Sequence, residues 1–459
     1  MGVKATTSQI TEGVIWKQLL IFFFPILLGT FFQQMYNTVD AIIVGRFVGT
    51  SALAAVGSTG SLVNLINGFF IGLSAGCSVV ISQFFGADDR PGVKRSMDAS
   101  AVLSVILGIL AVVVGVFGSP HLLRLIKTPE SCLNDAMQYA RIYFYGAAAT
   151  VVYNMGSGVL RAMGDSRRPL YFLMVTCFSN ILLDILFVVV LKLGIAGAAW
   201  ATVLSQIISA CLVVITLCRL PKDIRLDLGH LGIDLPLLGK ILMIGLPAGL
   251  QFITFEVSNL LVQSGINSFG EITTAAWTAF GKADGLSWMI SGAFGVSITT
   301  FVGQNFGAQK YDRIRKGVWT CLGMSLATQV LLSICTLTLR KFVLGIFTPD
   351  LDVIRVGAYA MLWIVPFNPL FMFVEVFAGT MRGVGSSLTP TAITSVCICL
   401  FRVLWVTLIV SRWHSIEMLC IVYPISWVLC SIVFVAVYLR GKWLTNRIEA
   451  CGMVPEIRA

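Results

Sequence analysis

The stretch from Pro25 to Gly49, PILLGTFFQQMYNTVDAIIVGRFVG, carries the reading of the whole chain. It is apolar at both ends, yet Gln33, Gln34, Tyr36, Asn37 and above all Asp40 interrupt it. A carboxylate in a membrane helix costs about 2.5–3.5 kcal/mol on insertion scales, so it is kept where it has a partner or a task. Asp40 is therefore the first functional candidate.

Outward from that stretch the same apolar pattern recurs along the chain. Of the 459 residues 57% are hydrophobic and 12% charged, with a mean hydropathy of +0.89, which leaves too little polar surface for a soluble globule. Twelve apolar spans are expected at approximately 17–45, 54–83, 98–119, 136–158, 169–191, 194–218, 240–264, 273–302, 317–338, 357–379, 389–411 and 418–439. The fold class is an all-α polytopic membrane protein. Met1 to Glu12 is polar and no small-residue cleavage pattern follows, so the first helix is expected to be retained.

The net charge of +10 does not point to nucleic acid. About 21 of the 32 Lys and Arg fall in loops of one side and about 8 on the other, the asymmetry of the positive-inside rule. That places both termini in the cytoplasm of an inner, plasma-membrane protein, with anionic lipids as neighbours. Most of the twelve cysteines lie in apolar spans and read as small packing residues; Cys132 is expected in an outer loop, and no disulfide framework follows.

The longest linker, Arg219 to Lys240, divides the chain into lobes at 1–220 and 240–459 joined by a cytoplasmic segment, 221–239. An internal repeat runs across that divide at an offset of about 221 residues. Ser82-Gln83-Phe84-Phe85-Gly86-Ala87 matches Gly303-Gln304-Asn305-Phe306-Gly307-Ala308, Leu160-Arg161-Ala162-Met163-Gly164 matches Met381-Arg382-Gly383-Val384-Gly385, and Pro25 and Pro169 match Pro247 and Pro390. Two pseudo-symmetric six-helix lobes around a central cleft are the expected arrangement, with alternating access by rocking. A monomer of that kind contains a complete pathway.

These motifs resemble the multidrug and toxic compound extrusion (MATE) transporters over essentially the whole chain, through the paired Gln-x-x-Gly-Ala helix ends at Gln83 and Gln304 and the paired Arg-x-x-Gly loops at Arg161 and Arg382. The resemblance implies cation-coupled export of small amphipathic, often cationic organic compounds. Within it, Asp40, Asn180, Asp184 and Thr202 look like the polar cluster that binds the coupling cation in the N-terminal lobe. Glu256 is similar to an acid on the first helix of the C-terminal lobe in another branch, so branch and ion stay open.

The residue chemistry fits either ion. Asn180 and Asp184 share a helix face, as do Asn37 and Asp40. Two acids with amide and hydroxyl oxygens suit sodium, which would make Asp40 and Asp184 metal ligands; two desolvated acids equally suit a proton. The plainer alternative is that Asp40 snorkels to the outer interface and Asn180 and Asp184 hold helices together. Thr202 bonded to its own helix backbone is likewise the plain alternative.

Elsewhere, Glu256 and Glu375 are candidates for attracting a cationic substrate or for a second cation site, against a bonded place in the bundle. Lys282 and Asp284, two apart on one span, are expected to pair with different helices in gating or structure, and Arg402 to be a paired structural cation. The glycine runs Gly72–Gly76 and Gly292–Gly295 read as close helix packing. No cofactor is implied beyond the coupling ion, and no nucleophile–base set or histidine ligand spacing points to an enzyme. The alternative reading is a flippase for lipid-linked or polysaccharide precursors, for which acids within the spans are the wrong sign of charge; a channel would show conductance without counterflow.

Overall fold

Apolar runs bounded by polar residues satisfy their backbone within themselves, and in this chain they become long helices. The computed structural model describes residues 10–125 and 128–450, and the described residues contain no strand. The first half comprises α1 (Ile15–Phe47), α2 (Thr50–Gly86), α3 (Arg90–Leu125), α4 (Glu130–Tyr145), α5 (Ala147–Ala162), α6 (Arg167–Asp184) and α7 (Gly194–Cys218). The second comprises α8 (Leu235–Asn267), α9 (Glu271–Gly307), α10 (Tyr311–Thr338), the short α11 (Arg340–Gly345), α12 (Leu351–Ile364), α13 (Asn368–Gly383), α14 (Leu388–Thr394), α15 (Phe401–Trp405), α16 (Ile416–Leu439) and α17 (Lys442–Ala450). Among the described residues eleven helices are long and apolar enough to cross a membrane. The remaining expected span is the α4–α5 pair, broken at Gly146 into two 16-residue pieces. Its counterpart, α12 and α13, is joined by one turn of 3-10 helix, Val365–Phe367, around Pro366.

Most helices outrun the apolar windows. The first was expected at 17–45 and is 15–47, the second at 54–83 and is 50–86, because polar end residues continue the hydrogen-bond ladder past the hydrocarbon. Cys132 is a correction: it lies in the first turn of α4, 2% exposed, because its small thiol packs inward against the Pro129 carbonyl.

The repeat is written in the backbone. α1 and α8 are each 33 residues long, α2 and α9 each 37. The Arg-x-x-Gly motif is a helix stop: Gly164 and Gly385 have φ of 89° and 88°, Asp165 N–H reaches back to Leu160 O, and Ser386 N–H to Met381 O. That is the Schellman ending, whose left-handed residue glycine adopts without a Cβ penalty. The Gln-x-x-Gly-Ala ends stop the same way one residue later, with Asp88 and Gln309 left-handed at 56° and 57° and Asp89 and Lys310 bonding back to Phe84 O and Asn305 O.

Two compact units result, and each exchanges half a helix. One is Phe24–Gly249 together with residues 10–11; the other combines Glu12–Phe23 with the described residues from Leu250 onward. The division therefore falls inside α1 and α8 beside Pro25 and Pro247, which interrupt the helical ladder, rather than in the 221–239 linker. In the first unit the opening half of α8 crosses α2 backbone to backbone: a Cβ on Gly72 would lie 2.6 Å from the Ala248 carbonyl, and one on Gly76 would meet the Ile241 carbonyl. In the second unit the opening half of α1 lies on α9, where Phe23 stacks on Phe294 with ring centroids 4.2 Å apart.

The linker is anchored at its start by an ion pair between Arg90 and Asp223. The hydrogen bond from the Arg90 guanidinium, and then its charge, hold the Asp223 carboxyl below its usual range. A lowered carboxyl contributes its anchoring above the unfolded value, and loses it as pH falls through the folded one. Acidification is therefore expected to lower the protection of the Leu226 amide, whose N–H bonds Leu217 O, relative to its intrinsic exchange rate at each pH, and Asp223→Asn is expected to do the same at neutral pH. The pair is exposed, so the effect is at most about fivefold; unchanged protection would mean that the linker is held by its apolar residues alone.

Candidate functional site

α1 turns one polar edge inward. Tyr36 and Asp40, one helical turn apart, are 7% and 6% exposed. Asn37, expected to share a face with Asp40, is instead exposed along with Gln33 and Gln34, because the inward stripe runs through positions 36, 40 and 44 and Asn37 lies beside it.

The remaining members of the set come from α6 and α7 of the same unit. Asn180 and Asp184 close the last turn of α6, both 0% exposed, and directly after Asp184 the helix widens into a π-helical stretch, Ile185–Val190. Such widened turns recur at functional sites because they re-aim side chains. Asp184 lies within electrostatic reach of Asp40. Thr202 on α7 is 5% exposed and donates to Ala198 O at 3.1 Å, while Tyr139 on α4 neighbours both Thr202 and Asp40. Thus the structure brings Asp40, Asn180, Asp184 and Thr202 together.

Four further side chains, Gln206, Asn67, Tyr139 and Tyr143, complete the chamber and were not identified as site residues from sequence. Gln206 donates its amide to the Tyr36 hydroxyl at 3.4 Å, Asn67 donates to the Tyr143 hydroxyl at 2.8 Å, and Tyr139 stacks on Tyr143. The available signal was the polar residue a turn after Thr202, and tyrosines spaced four apart on α4.

What distinguishes this chamber is its unspent hydrogen-bonding capacity. Asp40 Oδ1, both Asp184 oxygens and both polar atoms of the Asn180 amide are buried and, among the described residues, have no partner. Each buried polar atom left unpaired costs about 1–3 kcal/mol, more when charged. Four of those five atoms are oxygens, which is the donor chemistry of a hard monovalent cation or of a shared proton. The set is one of two acids accompanied by the neutral oxygens of Asn180 and Thr202.

The other candidates lie in the second unit. Asp284 on α9 is buried and accepts from Asn368 on α13 at 2.8 Å, whereas Lys282, two residues earlier, is exposed. Glu375 on α13 lies 3.7 Å from Arg382 Nη2. Glu256 on α8 is half-buried, without an ion pair among the described residues. Arg402 on α15 corrects an expectation: among the described residues no acid pairs with it, and it lies over the Tyr423 ring, 4.2 Å from the centroid, because the facing helix α16 presents aromatics there.

Comparison with known proteins agrees with this architecture. The chain is 30% identical over 443 residues to YpnP, a probable multidrug resistance protein of Bacillus subtilis strain 168, covering 94% of this chain and 97% of that one. It is 28% identical to YoeA of the same organism, also a probable multidrug resistance protein, covering 96% and 97%. A solved MOP superfamily transporter from Pyrococcus furiosus superposes with a TM-score of 0.88 at 22% identity, over 97% of this chain and all of the other. The family profile described as MatE matches twice, at residues 25–186 and 247–407, once in each half of the repeat. With both halves matched and the relatives covered nearly end to end, the chain belongs to the MATE family of efflux transporters.

Proposed function

We propose that this transporter is a cation-coupled antiporter that exports small amphipathic organic compounds, and that Asp40, Asn180, Asp184 and Thr202 bind the coupling sodium ion or proton. The observation that carries this reading is the set of five buried, unpartnered polar atoms on Asp40, Asn180 and Asp184. A cation entering there satisfies the four oxygens among them, and its departure leaves two like charges in a buried chamber. Alternating exposure of that chamber to the two sides then converts ion entry into work. Relatives named as multidrug resistance proteins support an organic substrate class. Each charge moved through 100 mV supplies about 2.3 kcal/mol. If a monovalent cationic substrate leaves for each cation entering, the voltage term cancels and the ion concentration gradient alone drives the exchange.

The sign of the loops supports an inner-membrane setting with both termini cytoplasmic. Purified protein in liposomes, given an inward sodium gradient alone or a proton gradient alone, is expected to drive efflux of a cationic dye under one of them. The effective gradient names the ion, and efflux that ignores both gradients overturns the coupling.

A further inference from the structure

The repeat offset of about 221 residues carries the N-terminal ion chamber onto a definite place in the second unit. Thr202 maps to Tyr423 and Gln206 to Trp427 on α16, and Asn180 maps to Phe401, beside Arg402. The correspondence extends to helix geometry. The π-helical stretch after Asp184 has its counterpart in Val406–Val410, and a second such stretch, Ser395–Leu400, precedes Arg402. The second unit thus repeats the chamber's frame with the opposite sign of charge.

At Arg402 and Trp427 the unpartnered polar atoms are donors. Arg402 is 2% exposed; its Nε donates to Ser426 Oγ at 3.1 Å, and its Nη2 meets no acceptor among the described residues. Trp427, 1% exposed, has an indole N–H in the same condition, and its ring lies 5.8 Å from the guanidinium carbon. Tyr423 covers the guanidinium, and Trp288 and Phe371 pack against Trp427. Cys399 and Cys430 are the remaining polar groups within electrostatic reach of Arg402. Asp284 reaches Tyr423 electrostatically but is spent on Asn368 and forms no ion pair with Arg402 among the described residues. A guanidinium with no ion pair among the described residues, flanked by the Tyr423 and Trp427 rings, and an indole N–H without an acceptor on the second of those rings call for a small anion.

We propose that Arg402 Nη2 and Trp427 Nε1 form an anion site in the C-terminal half that takes a small monovalent anion, either chloride or a carboxylate group. The Tyr423 face stabilises the guanidinium from one side, and the two N–H groups supply the hydrogen bonds an anion needs once stripped of water. This site is separate from the cation chamber, so its test does not depend on the coupling reading.

The experiment is a thermal-unfolding titration of the purified full-length protein at fixed sodium and fixed ionic strength, replacing a bulky sulfonate buffer anion (HEPES) stepwise by chloride, and in a parallel arm by acetate. The midpoint is expected to rise saturably with chloride, with acetate, or with both. A response to chloride alone assigns an inorganic ion, and a tighter response to acetate assigns a carboxylate. Arg402→Gln is expected to weaken the apparent affinity at least about 10-fold. Trp427→Phe keeps the ring and removes only the N–H, with an expected loss of about 3- to 10-fold, and it serves as the test should Arg402→Gln fail to fold. A midpoint indifferent to chloride and acetate, or a response unchanged in Trp427→Phe, overturns the proposal.

Discussion

In proteoliposomes, Asp40→Asn and Asp184→Asn are each expected to lose gradient-driven efflux while the protein remains folded. Asparagine keeps the shape but removes one of the two negative charges and turns an acceptor into a donor. Taking one charged partner from a buried ion interaction costs about 3 kcal/mol or more, roughly 100-fold in cation affinity, so at ordinary ion concentrations the chamber no longer loads. Stability should move the other way. Asp184 has two buried oxygens and no protein partner among the described residues, so neutralising it removes an uncompensated charge without breaking a bond. The thermal midpoint of Asp184→Asn in the absence of the coupling ion is expected to equal or exceed that of the parent. A lowered midpoint would mean that Asp184 serves the fold and not the ion.

The second large effect is on folding, at the crossing of α2 and α8. Gly76→Ala is expected to lower the thermal midpoint sharply, and Gly57→Ala, on the same helix, to leave it unchanged or raise it. The two substitutions add the same methyl group. At Gly57 no heavy atom lies within 4 Å of the new Cβ, whereas at Gly76 it meets the Ile241 carbonyl and comes within 2.8 Å of Gly245 N. Backbone cannot step aside as the tip of a side chain can, so overpacking costs about 1–3 kcal/mol at Gly76. At Gly57 the gain in helix propensity, about 1 kcal/mol at most, is what remains. Equal midpoints for the two variants would show that the crossing of α2 and α8 loosens without penalty.

Much of the architecture was legible because its signals are long and redundant. A membrane span is a run of some twenty apolar residues, and the repeat states each helix twice, so α2 and α9 confirm each other end for end. The Arg-x-x-Gly loops were visible as motifs, and the structure supplies their cause in the left-handed glycines at 164 and 385. The exchange of half-helices at Pro25 and Pro247 was not legible: proline announces a break in the ladder, but which neighbour the freed half packs against depends on tertiary contacts such as Phe23 on Phe294. The site shows the same limit. Asp40, Asn180 and Asp184 stood out as costly residues in apolar surroundings, whereas Tyr139 and Gln206 are ordinary residues whose part follows only from where α4 and α7 place them. Asn37 shows that spacing alone gives adjacency on a helix, not the direction the helix faces.

The most direct test of the central claim is ion movement itself, measured as substrate-dependent sodium or proton entry into liposomes holding the wild-type protein or Asp184→Asn. The account predicts that adding substrate on the inside of wild-type vesicles drives one of these ions inward, and that this counterflow disappears in Asp184→Asn. Counterflow of undiminished size in Asp184→Asn, or wild-type efflux with no ion entering, would contradict it.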